Sequence, residues 1–276
     1  MGVLIEPGYL FSQHSLNTYV RCQRRFLLRY IEHQPWPMPE DEDPLDYQRH
    51  LARGRMFHQW LVRRHWGIEM SEIVEACEDS LLRQWWRAVE TLFPWDALPD
   101  GIREAELPVV VSLGEYRLYA RYDYLALDPQ NKVAVIVDWK TLASVPSYQV
   151  LRERIQTRVY LYTLIAASHV LTGGKSLAPD QVKMLYWFAN YPDDVIEIPY
   201  SEAAFQQDAH YLQSLVREIG RRPREAFAPT EDSRLCAHCQ YRTLCHREVI
   251  TSAEEDWLDE EIDFALDLQD IPELEY

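Results

Sequence analysis

The sequence lacks the features that mark membrane and secreted proteins. Its longest apolar stretch, VYLYTLIAASHVL at 159–171, is too short and too interrupted to span a bilayer. Its first residues, MGVLIEPGYLFSQ, show neither the basic start nor the apolar run of a secretory signal. We therefore expect a cytoplasmic protein with no membrane partner.

Cysteine is also scarce, with five residues among 276. Three of them form a C-x2-C-x5-C pattern, while Cys22 and Cys77 lie far away in the sequence. In a cytosolic protein, clustered cysteines are more typical of metal ligation than of disulfide bonds. Three cysteines do not complete a four-ligand site, so the fourth ligand must come from elsewhere. The pattern itself consists of Cys236, Cys239 and Cys245. His238 and His246 lie close enough in the sequence to replace a cysteine as a ligand.

Lysine is rarer still, because 24 of the 28 basic residues are arginine. The formal net charge is −16, but residues 252–276 hold eleven acidic residues and no basic ones, which leaves the rest close to neutral. Arginine clusters at 21–29, 152–158 and 217–224 could bind phosphate groups, since guanidinium makes bidentate contacts with them. Solvated helix faces are the alternative. Apolar side chains are interspersed among the acids of the tail, which predicts that the tail docks on this chain or on a basic partner.

The order of helical and strand-like patterns predicts one α/β domain with a central sheet, followed by a cysteine-rich lobe. Turns are expected at Leu113-Gly114-Glu115 and at DPQN, 128–131. The predicted helices span 12–32, 47–66, 78–93, 147–168 and 202–220. The predicted strands span 106–113, 116–127, 132–141, 181–190 and 195–200.

Two aspartates and a lysine stand out on neighbouring predicted strands. Asp138 and Lys140 share a face, because side chains two residues apart in a strand point the same way. The DPQN turn would lay this strand antiparallel to the preceding one and bring Asp123 close to Asp138. Adjacent carboxylates repel each other unless a cation lies between them, and oxygen ligands suit Mg²⁺ or Mn²⁺. Lys140 could then balance charge on a phosphate, which predicts phosphodiester hydrolysis. An ordinary Asp-Lys salt bridge is the alternative.

Three further residues have the chemistry to complete such a site. His58, in GRMFH at 54–58, offers a neutral imidazole as a metal ligand. Gln156 and Tyr160 are four residues apart, so they share one helix face and could position a phosphate. Each of the three, taken alone, is equally compatible with an ordinary packed or surface residue.

In this order, Gly-x-x-x-His, a strand Asp, Asp-x-Lys and Gln-x-x-x-Tyr resemble the RecB-type branch of the PD-(D/E)XK nuclease superfamily. Cys22 followed by C-x2-C-x5-C resembles the iron–sulfur pattern of the AddB nuclease subunit and of CRISPR-associated RecB-like exonucleases. The resemblance covers roughly residues 12–247. Tyr122 stands where the superfamily has a nominal proline, and Ala120 stands where a glycine is frequent. Neither departure removes a reactive group.

The resemblance implies a restriction-endonuclease-like α/β fold, in which helices flank a mixed central sheet. It also implies a catalytic Mn²⁺ or Mg²⁺ ion. The implied ligands of this ion are two carboxylates, an imidazole and a backbone carbonyl, namely Asp123, Asp138, His58 and the carbonyl of Trp139. Lys140 would be the catalytic lysine, while Gln156 and Tyr160 would support the substrate and the geometry of the site.

For the cysteines, the resemblance implies a [4Fe-4S] cluster in a lobe that joins the two chain ends, with zinc as the alternative occupant. The implied ligands are Cys22, Cys236, Cys239 and Cys245. Cys77 is left as an ordinary small residue. Residues 1–250 would form the nuclease domain, and residues 251–276 would form the acidic tail.

The sequence thus predicts a metal-dependent deoxyribonuclease, with exonuclease action on single-stranded DNA or DNA ends favoured over endonuclease action. CRISPR adaptation and recombination or repair both suit such an enzyme. Tyr19, Trp60 and Trp139 are candidates for stacking on bases. The alternative is a non-catalytic DNA-binding or scaffold subunit, with the acidic tail binding a CRISPR integrase or a recombination complex. A third hypothesis makes the tail a strand mimic that occupies the DNA channel.

Overall fold

The computed structural model describes residues 4–35, 44–236 and 239–247. The acidic tail and the proline- and acid-rich residues 36–43 lie outside the described residues. Within the described residues, one mixed sheet is covered by helices on both faces. The predicted α/β class, with a mixed central sheet flanked by helices, is confirmed.

Six strands form the sheet. They are β1 Leu10–Ser12, β2 Ile102–Leu113, β3 Tyr116–Asp128, β4 Val133–Lys140, β5 Val182–Phe188 and β6 Tyr191–Pro199. The order across the sheet is β1-β3-β4-β5-β6, with β2 also paired to β3. The β1/β3 and β4/β5 pairs are parallel, and the β2/β3, β3/β4 and β5/β6 pairs are antiparallel. The two predicted turns join β2 to β3 and β3 to β4.

Helices cover the two faces of the sheet with separate apolar cores. The helices are α1 Gln13–Arg21, α2 Gln23–Phe26, α3 Pro44–His65, α4 Ser71–Ala76, α5 Ser80–Leu92, α6 Tyr148–Glu153, α7 Ile155–Leu171 and α8 Glu202–Arg221. Helices α1, α7 and α8 pack on one face, and α3 and α5 pack on the other. Among the described residues, no helix combines the length and the apolarity needed to cross a membrane.

The single helix predicted at 12–32 is wrong. The chain starts as β1, continues as α1, and breaks at Cys22, whose backbone is extended with φ −157° and ψ 106°. Cys22 ends α1 and begins α2, because its N–H bonds to the Thr18 carbonyl and its Sγ accepts the Arg25 N–H. Helical periodicity continues through the break, so the apolar pattern could not reveal it. The predicted helix 147–168 is similarly split in two at Arg154.

In the long β2–β3 hairpin, alternate side chains switch from one face of the sheet to the other at a single residue pair. In β3, Tyr122 packs in the core beneath α7, whereas Tyr124 packs in the core beneath α3. The two neighbours of Glu106 in β2 show the same reversal. Glu106 and Asp123 lie between flanking paired residues of the antiparallel register, and Glu106 has a left-handed φ of 52°. Alternate residues of a regular strand stay on one face, so this pair marks a discontinuity in the sheet.

Candidate active site

The candidate catalytic residues meet where β3 changes its neighbouring strand. Residues 117–119 of β3 pair with β1, and residues 124–128 pair with β4. Asp123 lies between these two stretches, and its Oδ2 accepts a 3.0 Å hydrogen bond from the Trp139 N–H. The change of neighbour therefore opens the sheet at Asp123, so that side chains from other elements can approach it.

Asp138, Lys140 and Gln156 form a triangle of two hydrogen bonds and one ion pair, with Gln156 supplied by α7. Lys140 Nζ lies 3.0 Å from Asp138 Oδ2 and donates to Gln156 Oε1 at 2.8 Å. Gln156 Nε2 donates in turn to Asp138 Oδ1 at 2.7 Å. The exposed fractions are 1% for Asp138, 8% for Lys140 and 6% for Gln156. Because a buried charge is tolerated only when it is paired and hydrogen-bonded, the three side chains fix one another.

His58 approaches the same place from α3, on the other face of the sheet. Its Nε2 lies 3.1 Å from the Trp139 carbonyl oxygen, and its Nδ1 lies 3.6 Å from Asp123 Oδ2. Burial, together with the positive charges of Lys140 and Arg121, lowers the pKa of His58 to about 4. The imidazole is therefore neutral at neutral pH. If Nε2 carries the proton and donates to Trp139, the Nδ1 lone pair faces the Asp123 carboxylate.

The charge around Asp123 favours a bound cation. Burial and the negative charges of Asp138 and Glu106 raise the pKa of Asp123 well above its ordinary value, although Lys140 and the Trp139 N–H oppose the rise. Like charges held this close are costly unless a cation or a proton relieves them. Carboxylate oxygens with one neutral imidazole form a donor set that suits Mn²⁺ and Mg²⁺. The residues present thus fit a divalent metal.

Glu106 is a member of the site that the sequence motifs did not reveal. Its carboxylate, His58 and Asp123 each offer one ligand atom, and these atoms lie within 4.8 Å of one another. A signal for it was present in the hairpin. Glu106 and Asp123 each stand seven residues from the strand end that borders the Gly114-Glu115 turn, so the antiparallel register places them opposite each other.

Tyr160 lies one helical turn from Gln156 on α7, and its hydroxyl connects three elements. Its hydroxyl donates to the Arg121 carbonyl at 2.5 Å and lies 3.2 Å from the Gln13 side-chain nitrogen, which donates to it. Tyr160 and Gln13 are both buried. The hydroxyl therefore ties α7 and α1 to β3 beside Asp123, and Gln13 is a second contributor that the motifs did not indicate.

The expectation that Tyr19, Trp60 and Trp139 stack on bases is wrong. Their exposed fractions are 2%, 2% and 3%. All three rings belong to the two cores, where Trp139 lies against Phe93 and Tyr124. Ring burial inside the fold leaves no face for a base.

The four cysteines named by the resemblance come together at the start of α2 and near the end of the described chain. Cys22, Cys236, Cys239 and Cys245 line one cavity. Burial raises the pKa of Cys236, Cys239 and Cys245, and the neighbouring Cys22 adds to the rise for each of them. All five cysteines are free thiols, and Cys77 packs elsewhere, against the core beneath α3. His238 lies outside the described residues.

This cysteine lobe joins the two ends of the described chain. The Arg24 N–H donates to the Ala228 carbonyl at 3.0 Å, and the Tyr241 hydroxyl donates to the Gln34 carbonyl at 3.1 Å. Four thiols around one cavity match the donor set of an iron–sulfur cluster or a zinc ion. The donors fit either group.

Comparison with known proteins gives a family for this architecture. The model of the PD-(D/E)XK nuclease superfamily matches residues 10–246. No curated protein matches the chain significantly.

Two solved structures align with most of the chain. A candidate exonuclease from Eubacterium rectale has 12% sequence identity and a TM-score of 0.53, over 90% of this chain and 91% of that one, which is a likeness in fold. The protein SSO0001 has 14% identity and a TM-score of 0.41, over 87% of each chain.

Proposed function

Because the chain belongs to the PD-(D/E)XK nuclease superfamily, we propose that it is a metal-dependent deoxyribonuclease of the RecB-type branch. It would act as an exonuclease on single-stranded DNA or on DNA ends, in the cytoplasm, in CRISPR adaptation or in recombination and repair. The observation that carries this proposal is the convergence of His58 and Asp123 with the buried triangle around Lys140.

The catalytic ion would be Mg²⁺ or Mn²⁺, held by His58, Asp123 and Asp138 with the Trp139 carbonyl alongside. When bound, such an ion polarises the scissile phosphate and acidifies the attacking water. The neutral imidazole of His58 offers a lone pair at neutral pH, because the pKa of His58 is lowered to about 4. Because the pKa of Asp123 is raised, protons compete increasingly with the ion for this carboxylate as the pH falls.

Lys140 would supply positive charge at the scissile phosphate. Its ammonium lies 3.0 Å from Asp138 Oδ2, so the two side chains form an ion pair. A charged lysine donates hydrogen bonds, so Lys140 would orient the attacking water or stabilise the phosphorane-like transition state rather than remove a proton. Gln156 is a positioning residue that holds both Lys140 and Asp138, and Tyr160 positions β3.

The test of this activity is degradation of end-labelled single- and double-stranded DNA with Mn²⁺ or Mg²⁺. We expect cleavage by the intact chain and its loss in Lys140→Ala. Lys183→Ala is the matched control, because Lys183 lies on β5 and pairs with the exposed Glu197. Equal cleavage by the Lys140 and Lys183 variants would refute the assignment. Product lengths would show the polarity of the reaction and separate exonuclease from endonuclease action.

For the cysteine lobe we propose a structural [4Fe-4S] cluster bound by Cys22, Cys236, Cys239 and Cys245, with zinc as the competing occupant. Its support is the family resemblance of the spacing together with the shared cavity. Metal and sulfide analysis of anaerobically purified protein decides between them. Iron with inorganic sulfide is the expected result, and zinc without sulfide would overturn it.

The acidic tail at 251–276 is proposed to bind a basic protein partner, such as a CRISPR integrase or a recombination complex. Its support is the combination of eleven acids with interspersed apolar residues over 252–276. Deleting residues 252–276 should abolish partner binding and leave DNA affinity unchanged. Increased DNA affinity would favour the strand-mimic hypothesis instead. A scaffold lacking catalysis has less support, since it has no evident need for the buried Asp138–Lys140–Gln156 triangle.

A further inference from the structure

Glu106 is an acidic residue within reach of the proposed metal, and the family motifs give it no role. One ligand atom from each of Glu106, His58 and Asp123 lies within 4.8 Å of the others. These residues come from β2, α3 and β3, which are three separate elements. The cluster is partly buried, because the side chains of His58, Asp123 and Glu106 are 18%, 15% and 30% exposed.

The backbone at Glu106 is in a conformation that a glutamate rarely adopts. Its φ of 52° lies in the left-handed region, where a side chain with a Cβ atom is strained. This conformation coincides with the reversal of faces in β2, directly opposite Asp123. Glycine or asparagine would relieve the strain at this position. Strain of this kind persists at sites where the surrounding structure fixes a functional geometry.

Negative charge exceeds positive charge around Glu106, and this imbalance favours a cation between the carboxylates. Glu106 Oε2 lies 3.0 Å from the Arg121 guanidinium, and Lys140 is engaged with Asp138. Burial raises the pKa of Glu106, Arg121 opposes this rise, and Asp138 adds to it. Glu106 also raises the pKa of Asp123. Three carboxylates therefore share one largely buried region with two side-chain cations, each already paired with one of the acids.

We propose that Glu106 is an additional side-chain ligand of the catalytic divalent cation, supplied by β2 beside His58 and Asp123. This inference rests on the metal-dependent function proposed above. It changes the description of the site, because the cation would then be held by three carboxylates and one imidazole, with ligands from both strands of the β2–β3 hairpin. The competing explanation is that Glu106 only holds Arg121 in place.

Manganese binding to the full-length, cluster-loaded protein tests the proposal without relying on catalysis. Free and bound Mn²⁺ are separated by electron paramagnetic resonance during a titration of the intact chain, Glu106→Gln and Glu104→Gln. The Glu106→Gln substitution keeps the shape of the side chain and the backbone requirement while removing the charge. Glu104 is the matched control, since it is an exposed glutamate two residues away on β2. We expect affinity to fall at least about tenfold in Glu106→Gln and to stay unchanged in Glu104→Gln.

Arg121→Gln separates ligation from support of the arginine. If Glu106 binds the ion, removing the competing guanidinium leaves Mn²⁺ affinity equal or higher. If Glu106 acts only through Arg121, then Arg121→Gln and Glu106→Gln lower the affinity equally, and the proposal is wrong. It is also wrong if Glu106→Gln binds like Glu104→Gln. Failure of the intact chain to bind Mn²⁺ or cleave DNA would instead overturn the proposed nuclease function, so the two failures are distinguishable.

Discussion

The candidate active site and the cysteine lobe are organised by different forces. The active-site side chains belong to strands and long helices between two large apolar cores, and Gln156 hydrogen-bonds to both Asp138 and Lys140. The cysteine lobe consists of short helical turns, with a small apolar cluster of Leu28, Cys239 and Tyr241. Its four thiols line a cavity. The active site is thus pre-formed by the fold, whereas we predict that the lobe depends on a group bound by its thiols.

The size of the apolar core explains this difference. Burial of apolar area is the main source of stability, and a few buried side chains cannot offset the entropy of ordering a segment. Small units with so little core usually need a metal or disulfide for stability. We therefore expect that removing the metal would leave the active site folded, whereas removing the group bound by the cysteines would unfold the lobe.

The largest effect is expected from Cys239→Ser. Losing one thiolate ligand should release the bound group and remove binding energy of about 10 kcal/mol, the scale of a structural metal site. The segment 228–247 should then become sensitive to protease while the sheet stays folded. Metal content and limited proteolysis followed by mass spectrometry measure this. Cys77→Ser is the control, and a Cys239→Ser protein that keeps its metal and resists protease would contradict the contrast.

Gln156→Ala should slow catalysis without unfolding the protein. The substitution removes both hydrogen bonds that hold Asp138 and Lys140 from α7, although their direct 3.0 Å contact remains. Residues that orient metal ligands typically contribute about 10- to 100-fold. We expect kcat to fall within this range with little change in KM, measured on a single-stranded substrate. An unchanged kcat would show that the triangle does not position Lys140. Gln149→Ala, at an exposed position on α6, is the control.

Asp123→Asn should stabilise the metal-free protein while abolishing cleavage. Burial and the neighbouring carboxylates raise the pKa of Asp123 in the folded state. A raised carboxyl pKa means that the stability contributed by this group is fully present below its unfolded pKa and is lost as pH rises through the folded pKa. The neutral amide avoids that loss, so the variant should be more stable than the wild type at neutral pH, and the gain should vanish in acid. Urea unfolding with a chelator at several pH values measures it.

A destabilised Asp123→Asn protein at neutral pH would mean that the carboxylate is not electrostatically strained. Adding Mn²⁺ should reverse the order of stability, because only the wild-type carboxylate can bind the ion fully.

Tyr160→Phe should have the smallest effect. It removes the hydrogen bond to the Arg121 carbonyl and the one from Gln13, at a buried position. Leaving a buried carbonyl without its partner costs about 1–3 kcal/mol. We expect a modest drop in thermal stability, measured by calorimetry, and a change of only a few-fold in cleavage rate. A loss of activity as large as in Lys140→Ala would show that the hydroxyl contacts the substrate.

Much of the candidate site was predictable because its signals are local in the chain. The Asp138–Lys140 spacing places both side chains on one face of a strand, and the four-residue Gln156–Tyr160 spacing places both on one face of a helix. The turn at 128–131 set the antiparallel pairing that brings Asp123 beside β4. The class of fold followed from the order of helical and strand patterns for the same reason, since periodicity is encoded over a few residues.

Only the tertiary structure decided which residues that are distant in the chain come into contact. His58 lies 81 residues before the Trp139 carbonyl that it contacts, and no local pattern encodes such a distance. The sequence could not show that the rings of Tyr19, Trp60 and Trp139 are buried in the cores, where bases cannot reach them. At Glu106 and Asp123, the regular alternation of side chains between the two faces is interrupted in both strands. The interruption lies where β3 stops pairing with β1 and starts pairing with β4. Sequence determines local geometry through backbone preferences, whereas the burial of two opposing cores decides which side chains share a site.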